Sequence, residues 1–220
     1  MDSHSLSKPL NRYIDYTLLK VGATIEQLKV LCTEADRHGF AAVCVSPCYV
    51  EKACEFLQNP DVKVCSVVGF PHGLNLTRTK LSESTHLLKA GAQELDMVIN
   101  LNWLKNESWK KLRNEISKFQ TLCEDAQATS KVIVESGLLD LGEVRRICEI
   151  CTQVGVDFVK TSTGFAGVGA EIDKVVFMRD MLPDTIRIKA SGGIRTPEQA
   201  QRFIQAGADR IGTSSLIIES

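Results

Sequence analysis

KAGAQELDMV (89–98), QVGVDFVK (153–160) and QAGADRIG (205–212) are three versions of one passage. Each runs from a helical end through a glycine, a small residue and an acidic or amide residue into a short strand. A joint that recurs in this way marks a repeating αβ unit, and alternation of β-rich and helical segments is the signature of a parallel α/β fold. Working outward, the alternation covers the chain. Candidate strands fall at 14–16, 41–45, 64–68, 94–98, 132–135, 158–160, 186–190 and 210–212, and helical patterns at 24–38, 47–57, 77–90, 108–129, 141–154, 171–181 and 197–206. Thr24 followed by Gln27 has capping-box spacing, and Thr196 ahead of Pro197 puts a hydroxyl before a first-turn proline. Gly39, Gly91, Gly155 and Gly207 stand where a left-handed residue would close a helix. Eight units predict an α/β protein of the (β/α)8 TIM-barrel class. The expected organisation is a single barrel domain over residues 1–220, with a short N-terminal extension of about 1–12.

Composition narrows the function classes. At 220 residues, 44% hydrophobic and 24% charged, the chain has enough apolar matter for one full core and not the profile of a disordered chain. Its formal charge of −1 argues against a general nucleic-acid binder, which carries a basic excess. The first twenty residues lack the apolar run of a signal peptide or membrane span, so a cytoplasmic location and no membrane partner are expected. In a reducing compartment the eight cysteines read as free thiols. The Cys148-x-x-Cys151 pair lies in a helical pattern without a partner pair at metal-site spacing, so no metal is expected there; no cofactor is expected.

The unusual residues sit at strand ends, the active face of such a barrel. Asp96, Lys160 and Lys189 are ionisable groups inside or at the end of apolar strands. One lysine there is explained by an amine reaching solvent; two on adjacent strands, with a carboxylate two strands away, ask for more. A lysine attacks a carbonyl only as the neutral amine, and a cationic neighbour or partial desolvation favours that form. Lys160 and Lys189 are therefore expected to disfavour each other's charge, leaving Asp96 to transfer protons or merely to pair with one amine. Ser191-Gly192-Gly193 after the seventh strand, and Gly212-Thr213-Ser214-Ser215 after the eighth, opening a short final helix, suit a phosphate held by backbone N–H groups.

These segments, with AAVCVSP, VVGFPHG, AGAQELDMVIN, KVIVESGLL, DFVKTSTGF and IKASGGIRT, closely resemble the deoxyribose-phosphate aldolase family from about residue 14 to residue 212. The resemblance implies a metal-free class I aldolase that cleaves 2-deoxy-D-ribose 5-phosphate reversibly to acetaldehyde and D-glyceraldehyde 3-phosphate. It makes Lys160 the Schiff-base lysine, Lys189 the lysine that lowers its pKa and Asp96 the carboxylate of the proton relay. It puts phosphate contacts at Gly164, Gly192, Gly193, Ser214 and Ser215, and places Asp15, Thr17 and Cys44 along the pocket. Partners implied are small phosphosugar and aldehyde substrates and further copies of the chain, as a dimer or tetramer. Phe165 stands where some relatives carry a phosphate-contacting lysine. Another Schiff-base phosphosugar aldolase or transaldolase, or a non-catalytic phosphosugar-binding barrel, stays open as an alternative.

Overall fold

The computed structural model describes residues 6–215. Its strands β1 (Ile14–Leu18), β2 (Ala42–Val45), β3 (Lys63–Val68), β4 (Glu94–Val98), β5 (Thr129–Ile133), β6 (Phe158–Lys160), β7 (Arg187–Ser191) and β8 (Arg210–Thr213) are all parallel. They pair in chain order, and β8 returns to β1 to close the barrel. Around it run α1 (Ile25–His38), α2 (Val50–Phe56), α3 (Thr77–Lys89), α4 (Leu101–Lys105), α5 (Trp109–Asp125), α6 (Leu141–Val154), α7 (Ile172–Met181) and α8 (Pro197–Gln205). Among the described residues, no helix is long and apolar enough to cross a membrane.

The three like joints do the same mechanical work. Gly91, Gly155 and Gly207 take positive φ at the ends of α3, α6 and α8. The residue two places later then reaches across to the neighbouring strand: Gln93 Oε1 accepts from Val64 N (3.2 Å), Asp157 Oδ2 from Ser130 N (2.9 Å) and Asp209 Oδ2 from Ile188 N (2.8 Å). The repeated acidic or amide position therefore satisfies a strand-entry N–H that would otherwise lack a partner. Helix starts follow the sequence as well: Thr24 and Gln27 form both bonds of a capping box, and Thr196 accepts from Gln199 N ahead of Pro197.

Side chains alternate faces along a strand, and here the faces differ in kind. Outward residues such as Val43, Val64, Leu95, Met97, Val132, Val159, Ile188 and Ile211 are buried in the apolar layer beneath the helices. Each contributes about 1.5–3 kcal/mol by leaving water. Inward positions hold Asp15, Cys65, Glu94, Asp96, Lys131, Lys160, Lys189 and Arg210, where most such barrels carry branched aliphatics.

Three expectations change. The segment expected to be helical to residue 129 ends at Asp125, and β5 starts at Thr129 rather than 132, which brings Lys131 into the barrel. The loop after β4 carries the short helix α4, started by Asn100 Oδ1 accepting from Trp103 N. The N-terminal extension is partly core: residues 10–13 form a 3-10 turn with Leu10 and Tyr13 buried, tied to the end of α1 by Asn11 Nδ2 donating to His38 O. The short helix expected after Ser215 lies outside the described residues.

Candidate active site

Inside the barrel, four cations, Lys131, Lys160, Lys189 and Arg210, meet three carboxylates, Asp15, Glu94 and Asp96. Asp96 is the hub. Its Oδ2 accepts from Lys160 Nζ and from Lys189 Nζ, each at 2.8 Å, while its Oδ1 accepts from Lys131 Nζ at 2.9 Å. Lys189 also bonds Asp15 Oδ2, and Arg210 links Asp15 Oδ1 (2.6 Å) to Glu94 Oε1 (3.3 Å). Lys131 completes the lower ring through Glu94 Oε2 at 2.5 Å. Cys65 adds its thiol against Asp96 Oδ1 at 3.1 Å.

The partners are unequal. Lys131, Lys189 and Arg210 each contact two carboxylates, whereas Lys160 has one carboxylate oxygen, shared with Lys189. Burial would drive Asp96 up, but Lys131, Lys160 and Lys189 hold its carboxyl well below the ordinary 3.8. Burial likewise opposes the charge of Lys189, and the carboxylates of Asp15 and Asp96 overcome it, so its ammonium is held above the ordinary 10.5. Lys131 is raised for the same reason, by Asp96 first among its partners. The expected mutual weakening of the two strand-end amines is thus corrected on one side: Lys189 stays a cation because two carboxylates outweigh burial and its neighbour.

Above this network lies a cavity of about 250 Å³ lined by Lys160, Thr17, Thr163, Gly164, Gly192, Gly193 and Ser214, among others. Of the inner lysines only Lys160 reaches its wall. Two loops meet backbone to backbone on one side. A Cβ on Gly192 (φ +95) would stand 2.9 Å from Gly169 Cα, and Ala170 N donates to Gly192 O at 3.1 Å. Only glycines permit that approach. The N–H groups of Gly164, Gly192, Gly193 and Ser214 have no acceptor among the described residues, so four donors are left beside the cavity. The Lys20 and Arg195 side chains add positive charge at its edge. Across the rim, Phe165 packs edge-on against Phe70 with ring centroids 5.2 Å apart.

Most of the residues singled out by sequence meet here. Lys160, Lys189 and Asp96 are in contact, and Thr17, Gly164, Gly192, Gly193 and Ser214 line the cavity. Two expected pocket-lining residues do not: Asp15 and Cys44 are fully buried below it, Asp15 being spent on Lys189 and Arg210. Ser215 turns its N–H to Thr213 Oγ1 at 3.0 Å and is not on the wall. Lys131, Glu94, Arg210 and Cys65 were not anticipated. Their signal was the period of two, which puts Glu94 on the face of Asp96. Of the histidines, His72 is exposed, His38 stacks on Phe40, and His4 lies outside the described residues.

The thiols and carboxylates also form two groups with metal-ligand spacing among the described residues. Cys44, Cys65 and Asp96, and Asp15, Cys65 and Glu94, each bring three potential ligand atoms within 4.8 Å of one another. Lys131 Nζ already lies against Cys65 Sγ (3.4 Å), Asp96 and Glu94, so a metal ion there would add charge to a cluster with surplus cations. On α6, burial pushes the Cys148 thiol up to about 12 and the Cys151 thiol well above its ordinary value, which keeps both protonated and poor ligands.

Fold and site together define a parallel (β/α)8 barrel with a small cavity at its rim, a buried amine on the cavity wall and backbone N–H groups beside it. A family model described as DeoC/LacD family aldolase matches residues 4–217, and the chain belongs to this family of aldolases. The deoxyribose-phosphate aldolase of Caldanaerobacter subterraneus subsp. tengcongensis is 45% identical over 205 residues, spanning 93% of this chain and 89% of that protein. That of Mannheimia succiniciproducens is 45% identical over 206 residues, 94% of this chain and 91% of the relative. Among solved structures, the tetrameric deoxyribose phosphate aldolase from Aeropyrum pernix superposes with a TM-score of 0.87 at 36% identity, covering 94% of this chain and 87% of its own.

Proposed function

We propose that the chain cleaves 2-deoxy-D-ribose 5-phosphate reversibly into acetaldehyde and D-glyceraldehyde 3-phosphate through a Schiff base on Lys160. The observation that carries this reading is the sharing of one Asp96 oxygen by Lys160 and Lys189, each at 2.8 Å, at the floor of a cavity edged by backbone N–H groups without an acceptor among the described residues. With four cations against three carboxylates the buried cluster carries one surplus positive charge, and a low-dielectric site resists that. Loss of one proton removes the surplus. Lys160, with its single shared acceptor and its place on the cavity wall, is the amine placed to meet a substrate carbonyl.

The neutral Lys160 Nζ adds to the C1 aldehyde of the open-chain sugar, and water departs to give the iminium. A base takes the proton from the C3 hydroxyl, the C2–C3 bond breaks, and its electron pair flows into the iminium, releasing glyceraldehyde 3-phosphate and leaving an enamine. Protonation of the enamine carbon and hydrolysis then free acetaldehyde and the amine. Asp96, fixed by Lys131 and Cys65 on Oδ1, carries protons between Lys160 and the substrate. Lys189 serves as the fixed cation that keeps the surplus charge in place. The phosphate rests on the N–H groups of Gly164, Gly192, Gly193 and Ser214, with Arg195 and Lys20 beside it.

Incubation with 2-deoxy-D-ribose 5-phosphate in the presence of a metal chelator tests the reading. Stoichiometric release of acetaldehyde, followed by its reduction with an NADH-dependent alcohol dehydrogenase, is expected; absence of release sinks it. Assays with donors other than acetaldehyde separate this aldolase from other Schiff-base aldolases. A cytoplasmic location and assembly as a dimer or tetramer are part of the same proposal, and sedimentation velocity reads the assembly directly.

A further inference from the structure

Glu135, at the end of the strand that precedes the Lys160 strand, is a buried carboxylate that the mechanism does not use. It is 2% exposed, and among the described residues no basic group forms an ion pair with it. Its backbone is left-handed, φ 52° and ψ 52°. The other two non-glycine residues with positive φ, Glu107 and Gln127, are exposed. Left-handed backbone in a non-glycine residue and a buried carboxylate without a cationic partner are both unfavourable, and such features persist where surrounding structure fixes them for a purpose. Glycine would serve the turn alone with less strain.

Among the described residues, the side-chain bonds of Glu135 all go to one residue. Thr163 N donates to Oε1 and Oε2 at 3.2 Å each, and Thr163 Oγ1 donates to Oε2 at 2.5 Å. Thr163 lies on the cavity wall, and its hydroxyl oxygen in turn accepts from Phe165 N at 3.1 Å. Between these two residues stands Gly164 (φ +83), whose N–H has no acceptor among the described residues and which approaches Gly192 across the cavity edge. Ser136 N donates to Thr161 O at 2.8 Å, joining the same two segments one step back.

We propose that Glu135 is a positioning residue that clamps the Thr163–Phe165 turn, and through it sets the Gly164 N–H and the aromatic lip at Phe165 for the anionic end of the substrate. A carboxylate suits this task because it accepts only, so two donors of one residue can be held at once; these charge-assisted bonds are stronger than neutral ones. This inference deepens the aldolase reading and rests on it for the identity of the substrate, but the clamp itself concerns anion binding.

Two variants test it. Glu135→Gly removes the carboxylate at a position where glycine accepts the backbone, and Thr163→Val removes the hydroxyl while nearly preserving shape. Each is expected to raise KM for 2-deoxy-D-ribose 5-phosphate on the order of tenfold, as loss of a charge-assisted bond to a binding loop would. For Glu135→Gly, KM for unphosphorylated 2-deoxy-D-ribose, kcat for the phosphorylated substrate, and borohydride trapping of acetaldehyde should stay within about threefold of the parent protein; for Thr163→Val, which changes the cavity wall itself, the ratio of the two KM values is the readout. Unchanged KM for both substrates, or an equal rise for both, overturns the clamp. If Glu135→Gly does not fold, Thr163→Val decides alone. Failure of the parent protein to be trapped by acetaldehyde strikes the aldolase reading instead. Calorimetric binding of inorganic phosphate then still judges the clamp: weakening in the variants supports it and equal affinity refutes it.

Discussion

Replacing Lys189 with methionine removes a cation without leaving a void. Lys189 and Lys160 both donate to Asp96 Oδ2 at 2.8 Å, so their nitrogens are separated by no more than two hydrogen bonds. Two unit charges about 5 Å apart at an effective dielectric of about 20 interact by about 3 kcal/mol, equivalent to roughly two pH units. The sign follows from the charge balance. Lys189 is held above its ordinary 10.5 by Asp15 and Asp96 against the pull of burial, so it is cationic throughout the working range, and its loss leaves three cations facing three carboxylates. The cluster is then balanced and no longer carries the surplus positive charge that favours an uncharged amine. The assay is the rate of borohydride-dependent inactivation by acetaldehyde across pH. Lys189→Met is expected to move the midpoint upward by roughly two units, with trapping recovered at alkaline pH because the nucleophile is intact. A midpoint that stays fixed or moves down refutes the charge-balance argument.

Three further outcomes test other parts of the structure. Lys80, fully buried on α3, donates to Glu115 Oε1 (2.8 Å) and Val98 O (2.7 Å); Glu115→Gln, which strands that ammonium, is expected to cost about 3–5 kcal/mol in urea unfolding. Gly192→Ala meets Gly169 Cα at 2.9 Å and an unfavourable φ of +95, so steady-state kinetics should show a higher KM for the phosphorylated sugar, with acetaldehyde trapping retained. Asp15 and Asp96 are depressed below 3.8, so their stabilising charge is fully present above that value and lost as pH falls through the depressed range. Urea unfolding followed by fluorescence should accordingly show no loss traceable to these two groups until the pH is below 3.8.

What the sequence made legible depended on local signals. The glycine joints at 91, 155 and 207 and the capped starts at Thr24 and Thr196 are chemistry of neighbouring residues, and they survive unchanged in the fold. Lys160, Lys189 and Asp96 stood out because a charge inside a short apolar strand is anomalous on its face. Lys131 did not, since the strand was started three residues too late: Thr129-Ser130 continues the polar end of the α5 segment, and only pairing with β4 draws it into the sheet. Glu94 and Arg210 are the first residues of their strands. Their inward direction is a property of the closed barrel, where β8 meets β1 across almost the whole chain length and Arg210 reaches Asp15. Such long-range ion pairs leave no trace in spacing. The turn at Glu135 was hidden for the same reason, its partner Thr163 lying on the next strand's loop.

The account stands on Lys160 being the group that bonds carbon. Reduction of the protein with borohydride in the presence of acetaldehyde, followed by peptide mass spectrometry, reads this directly. A single N-ethyl modification on Lys160, absent from Lys131 and Lys189, is the predicted result; an unmodified Lys160, or an adduct on either of the other two inner lysines instead, contradicts it.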